Sequence, residues 1–331
     1  MMKEEMSDWL MSLAPEDRLP LWFISYDRAG TAPMLNTAHK WGTAELVNVV
    51  VRESQAKAYR AAYPKFQIHG LPDDEISSAG EARWGAADLA YALGNDAVLM
   101  FDDDVLALNF MFNGFIGSGP NAGTECTKHS LVGDHKTDPQ LAERILTGFS
   151  EMGREVHVTH PDAILGGMIK QHMSFSPRNH RTKYILNGGA TARQVMIWNL
   201  KRADELDIRL NQDLFARHGE DIGFSAEILK AGADCWATPS FSFHHWPEDI
   251  NIHRSVVRNA GNAKELHEEE WAALQQYPIK DYLRIKRSMI DNSYEWGDVN
   301  WKALGKLRGK PSLYVPWNDG EDVFAPAEHL I

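Results

Sequence analysis

The chain has 331 residues, 44% hydrophobic, 24% charged and 10% aromatic, a length for one large or two ordinary domains and a composition that excludes collagen-like, low-complexity and disordered classes. With 34 Lys and Arg against 46 Asp and Glu the net charge is −12, which argues against binding nucleic acid over the whole surface, because phosphates are neutralised by cations. No apolar run approaches the ~20 residues of a spanning helix. The first twenty residues are charged throughout, unlike a secretory signal. Cys126 and Cys235 are too few for a disulfide framework, which makes a reducing cytoplasm the expected setting.

In chain order, Leu21 to Ser25 reads as a buried strand, stopped by the loop Tyr26-Asp-Arg-Ala-Gly30. Pro33 suits the first turn of a helix reaching about Trp41. Leu46 to Val51 is a second strand, Glu53 to Tyr63 a helix ended by Pro64, and Phe66 to His69 a third strand. Ser78 is a candidate cap for a helix running to about Leu93 and closed by Gly94-Asn95. Ala97 to Phe101 is a fourth strand. Strands that alternate with helices indicate right-handed βαβ units and a mainly parallel sheet, Rossmann-like, with helices on both faces. Beyond it, Asn109 to His135 reads as a long ordered loop, Pro139 to Met152 as a helix and Tyr184 to Asn187 as a strand. Glu220 to Ala231 reads as an amphipathic helix, Cys235 to Phe243 as a strand, and the chain from Asn262 as mostly helical. The expected division is an N-terminal segment (1–20), one α/β domain (21–250, with halves 21–105 and 106–250) and a helical C-terminal extension packed on it (251–331).

In parallel sheets ligands gather beyond the carboxyl ends of the strands. There the fourth strand carries Asp102-Asp103-Asp104. Three adjacent carboxylates repel one another unless something offsets their charge. Mg²⁺ or Mn²⁺ does so, and such ions commonly bridge one or two carboxylates to substrate phosphates.

A strand running into Ile24-Ser-Tyr-Asp-Arg-Ala-Gly-Thr31, Glu81-Ala-Arg83 on a helix, Phe101-Asp-Asp-Asp-Val105, Gly219-Glu-Asp-Ile-Gly223 and Phe243-His-His-Trp246 follow one another in this order. In this the chain resembles nucleotide-sugar glycosyltransferases of the GT-A fold, and more narrowly the TET/JBP-associated glycosyltransferases of phages and base-J-making protists, which glycosylate hydroxymethylated pyrimidines in DNA. The resemblance implies a UDP-sugar donor, a Mn²⁺ or Mg²⁺ ion, hydroxymethylated DNA as acceptor, and functional coupling to a TET-like oxygenase or a hydroxymethylase. For a phage protein the setting would be the host cytoplasm. It also implies roles for residues. Ser25, Asp27, Arg28, Arg83, Asp102 and Asp103 would hold the nucleotide sugar, and Asp104, Asp102 and either His244 or His245 the metal.

In the inverting version of this chemistry a carboxylate at a helix start removes the acceptor's proton; Asp221 is the first candidate and Glu220 the second. No acidic residue lies between Asp162 and Asp204, where Arg178, Arg181 and Lys183 stand beside Asn187, Gly188 and Gly189. These six are the candidates for the acceptor side. A saccharide, lipid or protein acceptor, or a binding module without turnover, are the competing readings.

Overall fold

In the computed structural model the described residues are 3–41, 44–115, 125–132, 139–170, 182–186, 194–211 and 220–245, and beyond these 268, 271–272, 275–276, 283–287, 295–299, 313–317 and 323–324. The elements, in order, are α1 (Lys3–Ser12), β1 (Leu21–Ile24), α2 (Pro33–Ala38), β2 (Val47–Arg52), α3 (Glu53–Ala62), β3 (Gln67–Leu71), α4 (Ala79–Ala92), β4 (Ala97–Asp102), β5 (Val105–Phe115) and β6 (Glu125–Val132). They continue with α5 (Pro139–Thr159), β7 (Ala163–Lys170), β8 (Thr182–Leu186), β9 (Val195–Asn199), α6 (Leu200–Glu205), α7 (Glu220–Lys230), β10 (Asp234–His245), β11 (Leu283–Arg287), β12 (Glu295–Val299), β13 (Leu313–Pro316) and β14 (Val323–Phe324).

One twelve-stranded mixed sheet runs β14-β13-β8-β10-β7-β9-β4-β1-β2-β3, with β5 branching from β10 to β6. The stretch β3-β2-β1-β4 is parallel. β9 joins it antiparallel to β4, and β7 and β10 form a second parallel pair. Fully apolar strands such as Leu21–Ile24, buried at every position, match a sheet covered on both faces. On one face Leu21, Phe23, Val49 and Phe101 pack with α2, α3 and α5. On the other, Trp22, Val50, Val98, Met100 and Trp198 pack with α4, α6 and α7. This is the GT-A, Rossmann-like α/β arrangement expected.

The N-terminal elements form within a few residues of their expected bounds. Ser78 caps α4 in a reciprocal box, its hydroxyl accepting from Glu81 N–H at 3.2 Å while the Glu81 carboxylate accepts from Ser78 N–H at 2.9 Å. Two expectations are corrected. The long loop at 109–135 is instead largely an antiparallel ladder, with β5 and β6 in register from Leu108↔Val132 to Phe115↔Glu125. Where a helical extension is expected, the elements described beyond residue 280 are strands; β13 adds to the main sheet against β8, and β11 pairs with β12 separately. The segment Trp301 to Leu307, read as a short helix, lies outside the described residues.

The sequence reading also passed over β7 and β9. In β7 the pair Gly166-Gly167 breaks the apolar run, and the reason is tertiary: a side chain at Gly166 would collide with the Trp236 ring on β10. Glycine in a strand often marks such a close approach. Among the described residues no helix is long and apolar enough to cross a membrane.

Candidate active site

The connections β1-α2-β2-α3-β3 step along the sheet in one direction. The next one, through α4, passes under the opposite face and returns to the far side of β1. Strand order therefore reverses between β1 and β4, and a crevice opens at the carboxyl ends of the two strands bordering such a switch. Ile24 is in register with Asp102, which brings the loop 25–30 alongside Asp102-Asp103-Asp104.

Within that crevice the three aspartates diverge. Asp103, 3% exposed, accepts from Ser25 Oγ and from the buried Arg28 guanidinium, while its backbone carbonyl accepts from Met34 N–H at 3.4 Å. Tyr59 on α3 completes this clamp. Its hydroxyl accepts from Arg28 N–H at 2.9 Å and lies 2.6 Å from Ser25 Oγ. The sequence reading missed Tyr59, since a helical tyrosine facing a core carries no signal of its own. Asp27 sits exposed at the bend in the left-handed region, φ 54°, with its N–H donated to Gln55 Oε1 at 3.1 Å.

Asp102 turns the other way, accepting Arg83 Nη2 at 2.8 and 3.0 Å and Nε at 3.3 Å. Arg83 also donates through Nη1 to Glu220, the first residue of α7. Asp104 is left between the two arginines. Its Oδ2 is 3.9 Å from Arg28 Nη1, and its Oδ1 is buried without a hydrogen-bond partner.

Counted together, four carboxylates (Asp102, Asp103, Asp104 and Glu220) face two guanidiniums, so full ionisation leaves two negative charges in excess. Burial, reinforced by neighbouring carboxylates and only partly offset by Arg83, pushes Asp102 up to about 7. Burial and the adjacent Asp103 push Asp104 up to about 6. Burial also raises Asp103. A pocket whose acids hold their protons so late is undercharged with cations.

The remaining candidates are distributed unevenly. His245 is in register with Val105, the residue following Asp104, and His244 with Ala107, so β10 and β5 bring both histidine positions to the edge of the acidic run. His244 is exposed; the side chain of His245 lies outside the described residues. Asp221 belongs to the first turn of α7, but its side chain also lies outside the described residues. So do Arg178, Arg181, Asn187, Gly188 and Gly189. Lys183 on β8 is engaged within the protein, paired with Glu155 and 5.3 Å from the centroid of the Trp317 ring. Among the described residues no group of three or more His, Cys, Asp or Glu converges as a ready-made metal cage.

The sheet with its reversal beside an acidic run, and helices on both faces, gives the chain a GT-A-like α/β arrangement. The sequence profile of the family described as TET-Associated Glycosyltransferase matches residues 19–120. That stretch runs from β1 past the three aspartates, and in it the chain resembles this family, which supports a glycosyltransferase. No curated protein sequence matches the chain. Among solved structures it is similar to mannose-1-phosphate geranyltransferase from Thermus thermophilus, at 9% identity over 79% of this chain and 81% of that one with a TM-score of 0.36. It is also similar to a UDP-glucose pyrophosphorylase in complex with UDP-glucose, at 8% identity over 68% and 91% of the two chains with a TM-score of 0.33. Neither likeness carries weight in the assignment, which rests on the sheet and the family match.

Proposed function

We propose that the protein is a metal-dependent glycosyltransferase that moves a hexose, glucose in the leading case, from a UDP-sugar to the hydroxymethyl group of 5-hydroxymethylcytosine or 5-hydroxymethyluracil in DNA. One observation carries the metal-and-diphosphate part: the buried, partnerless Oδ1 of Asp104 in a pocket with two negative charges in excess. A divalent cation fits both features. Hard ions bound through one or two carboxylates plus substrate phosphates need no all-protein cage. Asp104 would be its main ligand, with Asp102 and either His244 or His245 as the others; bound Mn²⁺ or Mg²⁺ would neutralise the charge developing on the departing diphosphate.

The chain's own groups supply the rest. The loop with Ser25, Asp27 and Arg28 lines the nucleotide side. Arg28 keeps Asp103 compensated, which leaves the neighbouring Asp104 to face the ligand. The acceptor oxygen attacks the anomeric carbon as the bond from that carbon to the diphosphate oxygen breaks. Asp221 accepts the hydroxyl proton, and UDP leaves as the second product; the configuration at the anomeric carbon inverts. A carboxylate in the first turn of a helix is stabilised in its ionised, proton-accepting form. Glu220, committed to Arg83, is the poorer base.

The DNA acceptor is supported by the resemblance to this family and by the acid-free stretch between Asp162 and Asp204, whose Arg178 and Arg181 would grip phosphates beside an extruded base. A saccharide, lipid or protein acceptor is favoured by one observation: Lys183 in that stretch is paired with Glu155. Mass spectrometry of nucleosides decides between them. Hydroxymethylated and unmodified DNA are incubated with the protein, Mn²⁺ and a panel of UDP-sugars. A hexose increment on the hydroxymethylated base alone is the expected result. No increment on DNA, with transfer to a saccharide, lipid or protein, would overturn the DNA acceptor.

A further inference from the structure

We propose that Arg83 is a positioning residue that locks the first turn of α7 to the end of β4, and so holds the proton-accepting side of the site in register with the donor side. The inference deepens the glycosyl-transfer reading and rests on it.

Arg83 lies in the interior of α4, 5% exposed, on a helix whose start is fixed by the Ser78–Glu81 box. Its guanidinium is a rigid fork. One side meets Asp102 through Nη2 at 2.8 Å and Nε at 3.3 Å, and Nη1 meets Glu220, which is 137 residues further along the chain. A planar fork fixes angle as well as distance between two carboxylates, which a lysine ammonium does not.

The helices themselves are in close contact at this point. A Cβ added at Gly80, one turn before Arg83, would stand 2.7 Å from the Glu220 Cβ. Only glycine lets α7 start so near α4. Without the guanidinium, Asp102 and Glu220 are like charges brought together in a buried setting, and they would drive the first turn of α7 away from β4. Asp221 belongs to that turn. Arg83 therefore acts through Glu220 on the base, rather than by gripping the diphosphate.

The test combines steady-state kinetics, on whichever acceptor the wild-type protein uses, with calorimetric binding of UDP in the presence of Mn²⁺. Arg83→Gln is expected to lower kcat about 100-fold, the cost of a misaligned catalytic group, while UDP affinity stays within about threefold. Glu220→Gln should act in the same direction. The double variant should be no worse than Arg83→Gln alone, because residues acting as a unit are not additive. Arg83→Lys should recover only a few-fold of the loss.

A tenfold or greater loss of UDP affinity with additive effects would overturn the proposal and return Arg83 to the diphosphate; an unchanged kcat would overturn it too. If Arg83→Gln does not fold, Gly80→Ala and Glu220→Gln test the same joint from its other members. Hydrogen exchange at the amides of residues 220–224 tests it without turnover. Faster exchange in Arg83→Gln supports the lock and unchanged exchange contradicts it, whereas a wild-type protein that moves no sugar would defeat only the glycosyl-transfer reading.

Discussion

The two halves of the sheet are held together in different ways. In β3-β2-β1-β4 two pairings are local, β1–β2 through α2 and β2–β3 through α3, the third joins β1 to β4 across the reversal, and all three are parallel. Around β10 the partners come from far apart. Strand β10 pairs with β7, with β8 and with β5, two of the three antiparallel. The first half thus combines two local βαβ steps with one pairing across the reversal, and presents a loop and an acidic run at one edge. The second is a closure assembled by long-range pairings that brings His244, His245 and the start of α7 to that same edge. On the proposed reading the donor side uses the loop and acidic run of the first half, and the acceptor side the groups that the second half brings to that edge.

Substitutions in the first half should therefore separate chemistry from stability residue by residue, even among adjacent aspartates. Asp104→Ala is expected to lower transfer by about 10³-fold or more, the scale of removing electrostatic stabilisation of a departing group. Its circular dichroism should match wild type, since Asp104 compensates no buried cation by itself. Asp103→Ala should do the reverse and cost about 3–5 kcal/mol of stability in urea denaturation, because Arg28 is left as a buried charge without its nearest partner. Equal stability for the two variants would break the distinction.

Where the halves meet, Gly80→Ala should cost about 1–3 kcal/mol by overpacking α4 against α7, with a fall in kcat and little change in UDP binding. A further effect is on pH dependence. Asp102 and Asp104 have folded-state values of about 7 and about 6, both above the ordinary carboxylate value. At these two positions the folded state binds more protons than the unfolded state between roughly pH 4 and pH 7, whereas at His157, lowered by burial to about 4, it binds fewer over much of that window. The aspartates' contribution to stability then falls as pH rises through that window, while that of His157 rises. The expected outcome, measured without divalent ion, is that the melting temperature of the wild type relative to Asp104→Ala decreases from pH 5 to pH 7, and added Mn²⁺ should flatten the decrease. A difference between the two proteins that rises across the window without metal would contradict the pocket's charge balance.

This contrast also governs how much could be read from the chain. The bounds of β1, β2, α3 and β4 were legible because apolar runs, Pro33, Pro64 and the Ser78 box are local signals. So was the placement of Asp102-Asp103-Asp104 at the end of a strand. The ion pairs of Arg28 and Arg83 were not legible, as each meets a carboxylate distant in sequence and no spacing rule connects Arg83 with Glu220. Strand β7 hid behind Gly166 because the reason for that glycine, Trp236, lies on another strand. The β5–β6 ladder hid among Gly, Asn and Phe residues that read as a loop until paired. The histidines after Phe243 stood out only through the resemblance; the sheet register supplies the physical reason, bringing His245 opposite the residue that follows Asp104.

The most direct test of the acidic pocket is a Mn²⁺ titration followed by electron paramagnetic resonance, with UDP present, on wild-type protein and Asp104→Ala. The account predicts saturable uptake of one ion by the wild type and loss of that uptake in the variant. Equal uptake by both proteins would contradict it.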